Sequence, residues 1–442
     1  MLDRRSVAAT NAARADLLDR VGADRVLVGA AARDAIGGAE GDEPIAVVRP
    51  ADARDVSTVL RVARARHLGV APRAQLPVQT PERLRGHIVL DCAGLARPPA
   101  IDIARRIVTV GVGVPVEVVD RAARRARLAL RATSAFDVSQ PIGAWIAAGE
   151  GGEVGLGSGD LGVDLVSAVV VAGSGRVLTM GAAELAGHVP WGLPGLPNPG
   201  ALMLGADGRL GVLIEVSLRL WPAPFTAWSE VQLPAGRDGV LAALSCGRRA
   251  LGARLCDTLL LDDDGAGGRL RAEARLCSLR GEDDLQAVAA QVGEFFGRLG
   301  AELGPATPEP SRVRIGQEPS VARWEAPVAT SLDLRAAWPD APKVQDVVDA
   351  LAAAGDGPVR RRWAFGQDGA RLRLSWPGEA ERHPLVAGIE HLLDAGAVPV
   401  SASGVLRERL RERMPSTAKV LLTALSRVWD PDDVLVAGRG LL

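Results

Sequence analysis

Ile107-Val108-Thr109-Val110-Gly111-Val112-Gly113-Val114 is the stretch from which the reading of this chain grows. Its first part, Ile107–Val112, has the composition of a strand. A second strand, Ala100–Ile103, precedes it across a tight polar link at Arg105-Arg106, and a helix is expected over Val116–Ala126. Upstream, Ala46-Val47-Val48-Arg49 reads as a short strand ended by Pro50. Asp52 and Asp55 then open a helix whose Val56, Val59, Leu60 and Val62 fall near helical spacing. Further strands are expected at Gly69–Arg73 and Ile88–Asp91, with residues 1–45 a helix followed by a loop. Strands and helices alternate with turns too short for a regular doubly wound sheet, so the fold class is α+β.

Downstream, residues 139–162 are rich in glycine and read as a loop. Val166–Val171 and Arg176–Met180 are predicted to form a hairpin over Gly173-Ser174-Gly175. Residues 181–204, rich in Gly, Pro and Trp, read as a long loop, and Gly211–Leu220 as an alternating strand ended by Trp221-Pro222. After Pro224 the texture changes. Trp228–Leu233, Val240–Ala250, Thr258–Asp262, Arg269–Leu279 and Asp284–Leu299 alternate strand-like and helix-like character, which predicts an open antiparallel sheet with helices on one face. Residues 300–322 read as an exposed excursion. A helix at Val344–Ala354, a strand at Arg371–Trp376 and a final helix at Pro415–Val428 follow, before a turn at Trp429–Asp433.

The bulk composition excludes several classes. The chain has 442 residues, enough for two domains, with 48% hydrophobic and 24% charged residues, which is globular rather than disordered. A net charge of −1 leaves no footprint for nucleic acid or an anionic membrane. The N-terminus is charged and lacks the apolar centre of a signal peptide, and no apolar run of about 18 residues is present, so no integral membrane segment and a cytoplasmic location are expected. Cys92, Cys246, Cys256 and Cys277 are scattered without metal-binding or CxxC spacing and read as apolar core residues.

Several segments, in consistent order, carry a resemblance. Ala46–Asp52 is similar to V-x-R-P-x-(S/T/D), and Ala71-Pro72-Arg73 stands where P-R-G-G-G is expected. Ile107–Val114 is similar to T-V-(E/G)-P-G-V. Pro141-Ile142-Gly143-Ala144 with Gly151-Gly152 resembles T-I-G-G-x-x-A-x-x-A-G-G, and Gly205–Glu215 resembles G-S-E/L-G-T-L-G-V-I-x-E. Trp429–Leu435 with Gly438-Arg439 resembles F-D-P-x-G-I-L-N-P-G-R. Together they resemble the FAD-linked oxidase family of the vanillyl-alcohol oxidase and para-cresol methylhydroxylase type, which includes FAD-binding subunits of glycolate oxidase and D-lactate dehydrogenase. The resemblance implies an FAD-binding lobe of two α+β subdomains at 1–225 (about 1–92 and 93–225). It also implies an antiparallel cap or substrate domain at 226–395 and a C-terminal segment, 396–442, returning to the FAD lobe.

The same resemblance implies FAD held without a covalent bond. Carried over by motif, the cofactor-binding residues are Pro72, Arg73, Pro141, Ile142, Gly143, Gly151, Gly152, Gly155, Ser158, Gly208, Gly211 and Val212. A pyrophosphate needs convergent backbone donors, and glycine permits the close approach. Here the first loop departs from the pattern: Arg73-Ala74-Gln75-Leu76-Pro77 has no glycine, and Pro77 removes a donor. Arg73 is a charged fork able to meet phosphate, or else a surface arginine. Gly157–Gly162 fits G-x-G-x-x-G but lacks the preceding strand and following helix of a dinucleotide fingerprint.

The cap stretch Phe365–Arg371 and the stretch Ser401–Gly404 contain no histidine where metal-dependent family members carry one. The five histidines, His67, His87, His188, His383 and His391, show no ligand spacing, so no metal is expected. No G-x-S-x-G, Walker or H-E-x-x-H motif appears. Trp145 stands next to the expected flavin loop and Trp191 in the long loop, with core packing the default for both. No catalytic base is assignable. Two functions remain. One is an FAD-binding oxidoreductase subunit acting on a small hydroxy acid or passing electrons to a partner subunit. The other is a flavin-free pseudoenzyme serving as scaffold or regulatory subunit.

Overall fold

The computed structural model describes residues 4–73, 84–130, 139–147, 164–181, 199–206, 208–233, 256–263, 271–298, 300–308, 330–337, 339–355, 359–366, 369–376, 383–399 and 412–436. The chain opens with helix α1 (Arg4–Arg20), strand β1 (Val26–Leu27), helix α2 (Ala30–Ile36) and strand β2 (Ala46–Val48). Helix α3 (Ala53–Ala65) follows, then β3 (Val70–Arg73) and β4 (Ile88–Asp91). Helix α3 starts where Asp52 accepts the N–H groups of Arg54 and Asp55, a cap worth about 1 kcal/mol. It buries Val56, Val59, Leu60, Val62 and Ala63 along one face. The four strands form a sheet in the order β1-β2-β4-β3, with β2, β4 and β3 parallel and β1 antiparallel to β2.

A second sheet follows, built from β5 (Ala100–Asp102), β6 (Ile107–Gly111), β8 (Leu165–Val171), β9 (Val177–Gly181) and β10 (Val212–Arg219). Its order is β5-β6-β10-β8-β9, antiparallel throughout. Helices α4 (Val116–Arg125) and α5 (Ile142–Ala147) lie between β6 and β8 in sequence, and β7 (Leu128–Ala129) pairs with β11 (Trp221–Pro222). One apolar cluster joins the two sheets: Leu60, Ile88 and Leu90 share it with Val108, Val110, Trp145, Val170 and Val216. Val434 and Leu435, from the far end of the chain, belong to the same cluster.

A separate core belongs to a nine-stranded antiparallel sheet. Its strands are β12 (Phe225–Gln232), β13 (Cys256–Asp263), β14 (Arg271–Ser278), β15 (Glu302–Leu303), β16 (Thr307–Pro308), β17 (Thr330–Ala336), β18 (Arg360–Gly366), β19 (Gly369–Trp376) and β20 (Ala397–Pro399). Helices α6 (Asp284–Gly297), α7 (Ala341–Ala353), α8 (Pro384–Ala387) and α9 (Ile389–Asp394) contribute to this core. The α7 contact is specific: Trp363 on β18 donates its indole N–H to Gln345 at 2.8 Å, and Arg361 meets Asp349 at 2.9 Å. The last helix, α10 (Ser416–Trp429), leads the chain back to the first core, against which Leu425 and Trp429 pack.

The α+β class and the antiparallel cap sheet agree with the sequence reading. Three local expectations are corrected. The stretch after α1 is not a loop: a two-residue strand and a seven-residue helix occupy it, too short to show a period in sequence. The glycine-rich stretch after residue 139 includes α5, whose start is set by Pro141 rather than by glycine. Within the expected excursion at 300–322, Glu302–Leu303 and Thr307–Pro308 pair with β12, and Ala301 is fully buried; residues 309–322 lie outside the described ones. The Val240–Ala250 segment also lies outside them.

His383 gives the cap a measurable acid response. Its Nδ1 accepts the Leu385 N–H at 3.3 Å, capping α8, and its ring stacks on Trp376 at 4.4 Å between centroids. Burial lowers its pKa below the ordinary 6.5, and burial does the same to His87. The unfolded chain therefore takes up these protons first as pH falls. The stability contribution is full above pH 6.5 and declines below it, down through the lowered folded values. His383→Asn keeps a capping side chain and removes one titrating group. Urea unfolding at about pH 7.5 and about pH 5 is expected to show a smaller acid loss in the variant, with His87 supplying the remainder. An unchanged acid loss would count against this assignment.

Candidate functional site

The parallel strands β2, β4 and β3 end on the same edge of their sheet. In such sheets ligands gather beyond the carboxyl ends of the strands. Arg49, Asp91 and Arg73 stand at this edge. Arg49 donates to Asp91 at 3.4 Å, and Asp91 also accepts the Ala93 N–H, capping the 3-10 turn Cys92–Gly94. Arg73 differs. Its guanidinium donates to the carbonyl of Ala35, near the end of α2, and it has no carboxylate partner among the described residues. A half-buried cation whose partner is neutral, at the carboxyl edge of parallel strands, is suited to an anion.

A backbone seam joins this edge to the second sheet. The Gly113 N–H donates to Leu95 at 2.9 Å, and the Val112 N–H to Ile214 of β10 at 3.1 Å. A Cβ on Gly113 would fall 2.5 Å from the Ala93 carbonyl oxygen and 2.6 Å from that of Cys92. On the other side, the Ile142 N–H donates to Val114 at 2.8 Å and the Gly143 N–H to Val112 at 2.9 Å. Residues 112–114 therefore hold the turn after β4, the central strand β10 and the start of α5 at once.

The sequence-derived residues take these places. Pro72 is buried in β3 opposite Leu90, and Arg73 ends that strand opposite Asp91. Pro141 bridges Pro115 and accepts the N–H groups of Ala144 and Trp145. The N–H groups of Ile142 and Gly143 are engaged by Val114 and Val112, which makes them anchors of α5 on the seam. Gly208 is buried at φ 72°, and Gly211 lies close against Val170. Val212 pairs with Val171 inside the core. The Gly205 N–H bonds to Ile146 at 3.2 Å, which brings the segment before Gly208 onto α5. Gly151, Gly152, Gly155 and Ser158 lie outside the described residues, as do Ala74–Thr80 and Trp191. Trp145 is fully buried and belongs to the core.

Cys92 lies beside the edge, but burial and then the Asp91 charge push its thiol far above the ordinary range, so it offers neither a thiolate nucleophile nor a metal ligand. Among the described residues no group of three His, Cys, Asp or Glu side chains is placed to hold a metal ion. No helix among them is long and apolar enough to cross a membrane. Two residues that sequence reasoning did not single out matter here. Gly113 sat within the quoted strand, yet only packing shows its closeness to residues 92–93. Asp430 sat within the closing motif, and its carboxylate accepts the Val434 N–H at 2.9 Å and the Leu435 N–H at 2.7 Å.

Two sheets share one core, a separate antiparallel sheet has its own, and the parallel edge carries an arginine without a carboxylate partner among the described residues. Residues 44–181, which contain that edge and the seam, match the family described as FAD binding domain. The chain is similar to a D-2-hydroxyglutarate dehydrogenase of Xanthomonas citri pv. viticola, 29% identical over 183 residues. That match spans 41% of this chain and 38% of the relative. The fold is that of a 4-ethylphenol oxidase from Gulosibacter chungangensis solved with isoeugenol (TM-score 0.76, 14% identity, 98% of this chain and 97% of that one). It is likewise that of p-cresol methylhydroxylase with substrate bound (TM-score 0.76, 15% identity, 98% and 96% covered). An alkyldihydroxyacetonephosphate synthase shares it at TM-score 0.68 and 12% identity, with 98% of this chain and 85% of that one covered.

The match to the FAD binding domain supports FAD as the cofactor. The residues present fit it: Arg73 places a guanidinium at the carboxyl edge, where it would meet the charge of a diphosphate, and the seam fixes the neighbouring strands. The flavin-free alternative finds no support. Arg73→Ala is expected to weaken FAD binding by about tenfold to a hundredfold, the range for losing a charge-assisted contact, with thermal stability nearly unchanged. Titration of the apo-protein with FAD, followed by flavin fluorescence, measures it, and an unchanged dissociation constant would remove Arg73 from the site.

Proposed function

We propose that this chain is an FAD-dependent oxidoreductase of the 2-hydroxy-acid dehydrogenase type, holding FAD without a covalent bond. The observation that carries the reading is the placement of Arg73. It ends a parallel strand inside the segment that matches the FAD binding domain, and its partner there is a neutral carbonyl. The similarity to a D-2-hydroxyglutarate dehydrogenase supports a small hydroxy acid as the electron donor. Because the match covers 38% of that relative, the substrate is part of the proposal.

FAD, when bound, supplies the acceptor for a hydride from the hydroxyl-bearing carbon. The protein's own part is binding and orientation. Arg73 meets the diphosphate charge, and the 112–114 seam keeps the two sheets in register so that the strand ends do not drift apart. The buried thiol of Cys92 stays protonated and takes no proton from substrate. Electrons then leave to a small acceptor or to a partner subunit of an electron-transfer complex.

The purified protein saturated with FAD is expected to show the flavin absorbance bands. Anaerobic addition of D-2-hydroxyglutarate, D-lactate or glycolate should bleach the long-wavelength band, most strongly with the true substrate. Failure to bind FAD at about micromolar concentration would defeat the cofactor assignment. Binding without bleaching by any of the three would defeat the substrate class.

A further inference from the structure

The C-terminal segment after α10 returns to the first sheet through a small set of bonds. Outward from the edge strand β3, the Val70 N–H donates to the Val434 carbonyl at 2.7 Å, and the Val70 carbonyl accepts the Val436 N–H at 2.8 Å. Leu435 and Val70 form a parallel bridge. In a strand, every second residue presents its N–H and C=O to the same side, so the next outward-facing residue is Pro72. Proline has no N–H to donate, so the ladder loses one bond on the way to Arg73. Among the described residues the tail bonds to β3 at Val70.

Asp430 supplies what that short ladder lacks. Its two carboxylate oxygens accept the N–H groups of Val434 and Leu435, the residues that meet Val70. The intervening turn passes through Asp433 at φ +50°, a conformation that a non-glycine residue adopts only when its surroundings hold it. Asp430 is itself clamped from the second sheet. The β8–β9 turn brings Gly173 so close that a Cβ there would lie 2.2 Å from its carboxylate, and the Ser174 N–H donates to Trp429. Helix α3 adds an ion pair between Arg64 and Asp432, and the Ser57 hydroxyl donates to Gly175 at 2.6 Å. The tail and the β8–β9 turn meet at this carboxylate, and α3 braces the segments on either side of it. Burial, first, and then the nearby Asp433 and Asp432 charges raise its pKa, while the Leu435 and Val434 N–H groups draw it down.

We propose that Asp430 is a positioning residue for the flavin diphosphate. By holding Val434–Val436 on edge strand β3 it sets where that strand ends, and so where Arg73 presents its guanidinium. The proposal rests on the FAD reading above and deepens it. It assigns a role in cofactor binding to a residue remote in sequence from the matched domain, one that touches no cofactor atom itself.

The test is a double-mutant cycle read by FAD affinity. Asp430→Ala is expected to weaken FAD binding by about tenfold or more, and Asp430→Asn, which keeps one acceptor oxygen, by less. Added to Arg73→Ala, the Asp430→Ala change should cost little further affinity, because both act through one contact. Hydrogen exchange should show lost protection at Val70, Leu435 and Val436, while the amides of β13 and β14 in the cap keep theirs. Gly173→Ala, which pushes on the same carboxylate from the other side, should reproduce the pattern. If Asp430→Ala does not fold, the Asn and Gly173 variants decide the matter. Tail amides that lose protection while FAD affinity stays within about twofold would overturn the proposal, as would losses that simply add to that of Arg73→Ala. Wild-type protein that binds no FAD would overturn the flavin reading itself, and this proposal with it.

Discussion

Backbone meets backbone at Gly113 with no room for a side chain between them. The strand that ends at Gly111 continues as residues 112–114, which give hydrogen bonds to Leu95 and Ile214 and receive them from Ile142 and Gly143. Each of these is an ordinary hydrogen bond, worth about 1 kcal/mol net, and strength alone does not explain the junction. Geometry does. Cys92–Leu95 belongs to the exit of the parallel sheet, Ile214 to the centre of the antiparallel one, and Ile142-Gly143 to a helix start. A Cβ on Gly113 would separate the first of these from the rest, and the carboxyl edge carrying Arg73 would lose its fixed relation to β10 and α5.

The same lobe is closed from the other side by the tail. A parallel edge strand leaves outward N–H and C=O groups that need partners, and β3 finds them in residues from the far end of the chain. Pro72 removes the next donor, and among the described residues the pairing is one bridge, supported by a buried carboxylate. Seam and tail thus act on the two sides of β3: the first through β4 and its following turn, the second through Val70. Between them the strand end at Arg73 is held without a glycine-rich loop in the sequence that follows it.

The two lobes are stabilised differently. The FAD lobe has an apolar cluster shared by two sheets, four helices and the tail, so its parts are interdependent. The nine-stranded sheet buries its own cluster against α6 and α7, fastened by polar contacts such as Trp363 to Gln345. Its acid sensitivity, through His383, is a property of that second core and is separable from cofactor binding.

Much of this was legible in the amino-acid sequence. Helix α3 was readable because Asp52 caps it and Val56, Val59, Leu60 and Val62 repeat at helical spacing. The β8–β9 hairpin was readable from Gly173-Ser174-Gly175, and the cofactor class from the order of short motifs between Pro50 and Arg439. What the sequence could not show were contacts between residues distant along it. Strands β17, β18 and β20 carry charged or small residues at alternate positions, and only their neighbours in the sheet define them as strands. Ile142 and Gly143 looked like free donors, and the fold turned their N–H groups onto Val114 and Val112. By itself, then, the sequence determined the fold class and most of the elements, because those follow from local patterning, while the cofactor type followed from the resemblance that its motif order carries. The tertiary structure alone decided what surrounds Arg73 at the parallel edge and what holds that edge in place. Arg73 stands out only once Ala35 is seen beside it, and Asp430 only once Val434, Leu435 and Gly173 converge on one buried carboxylate.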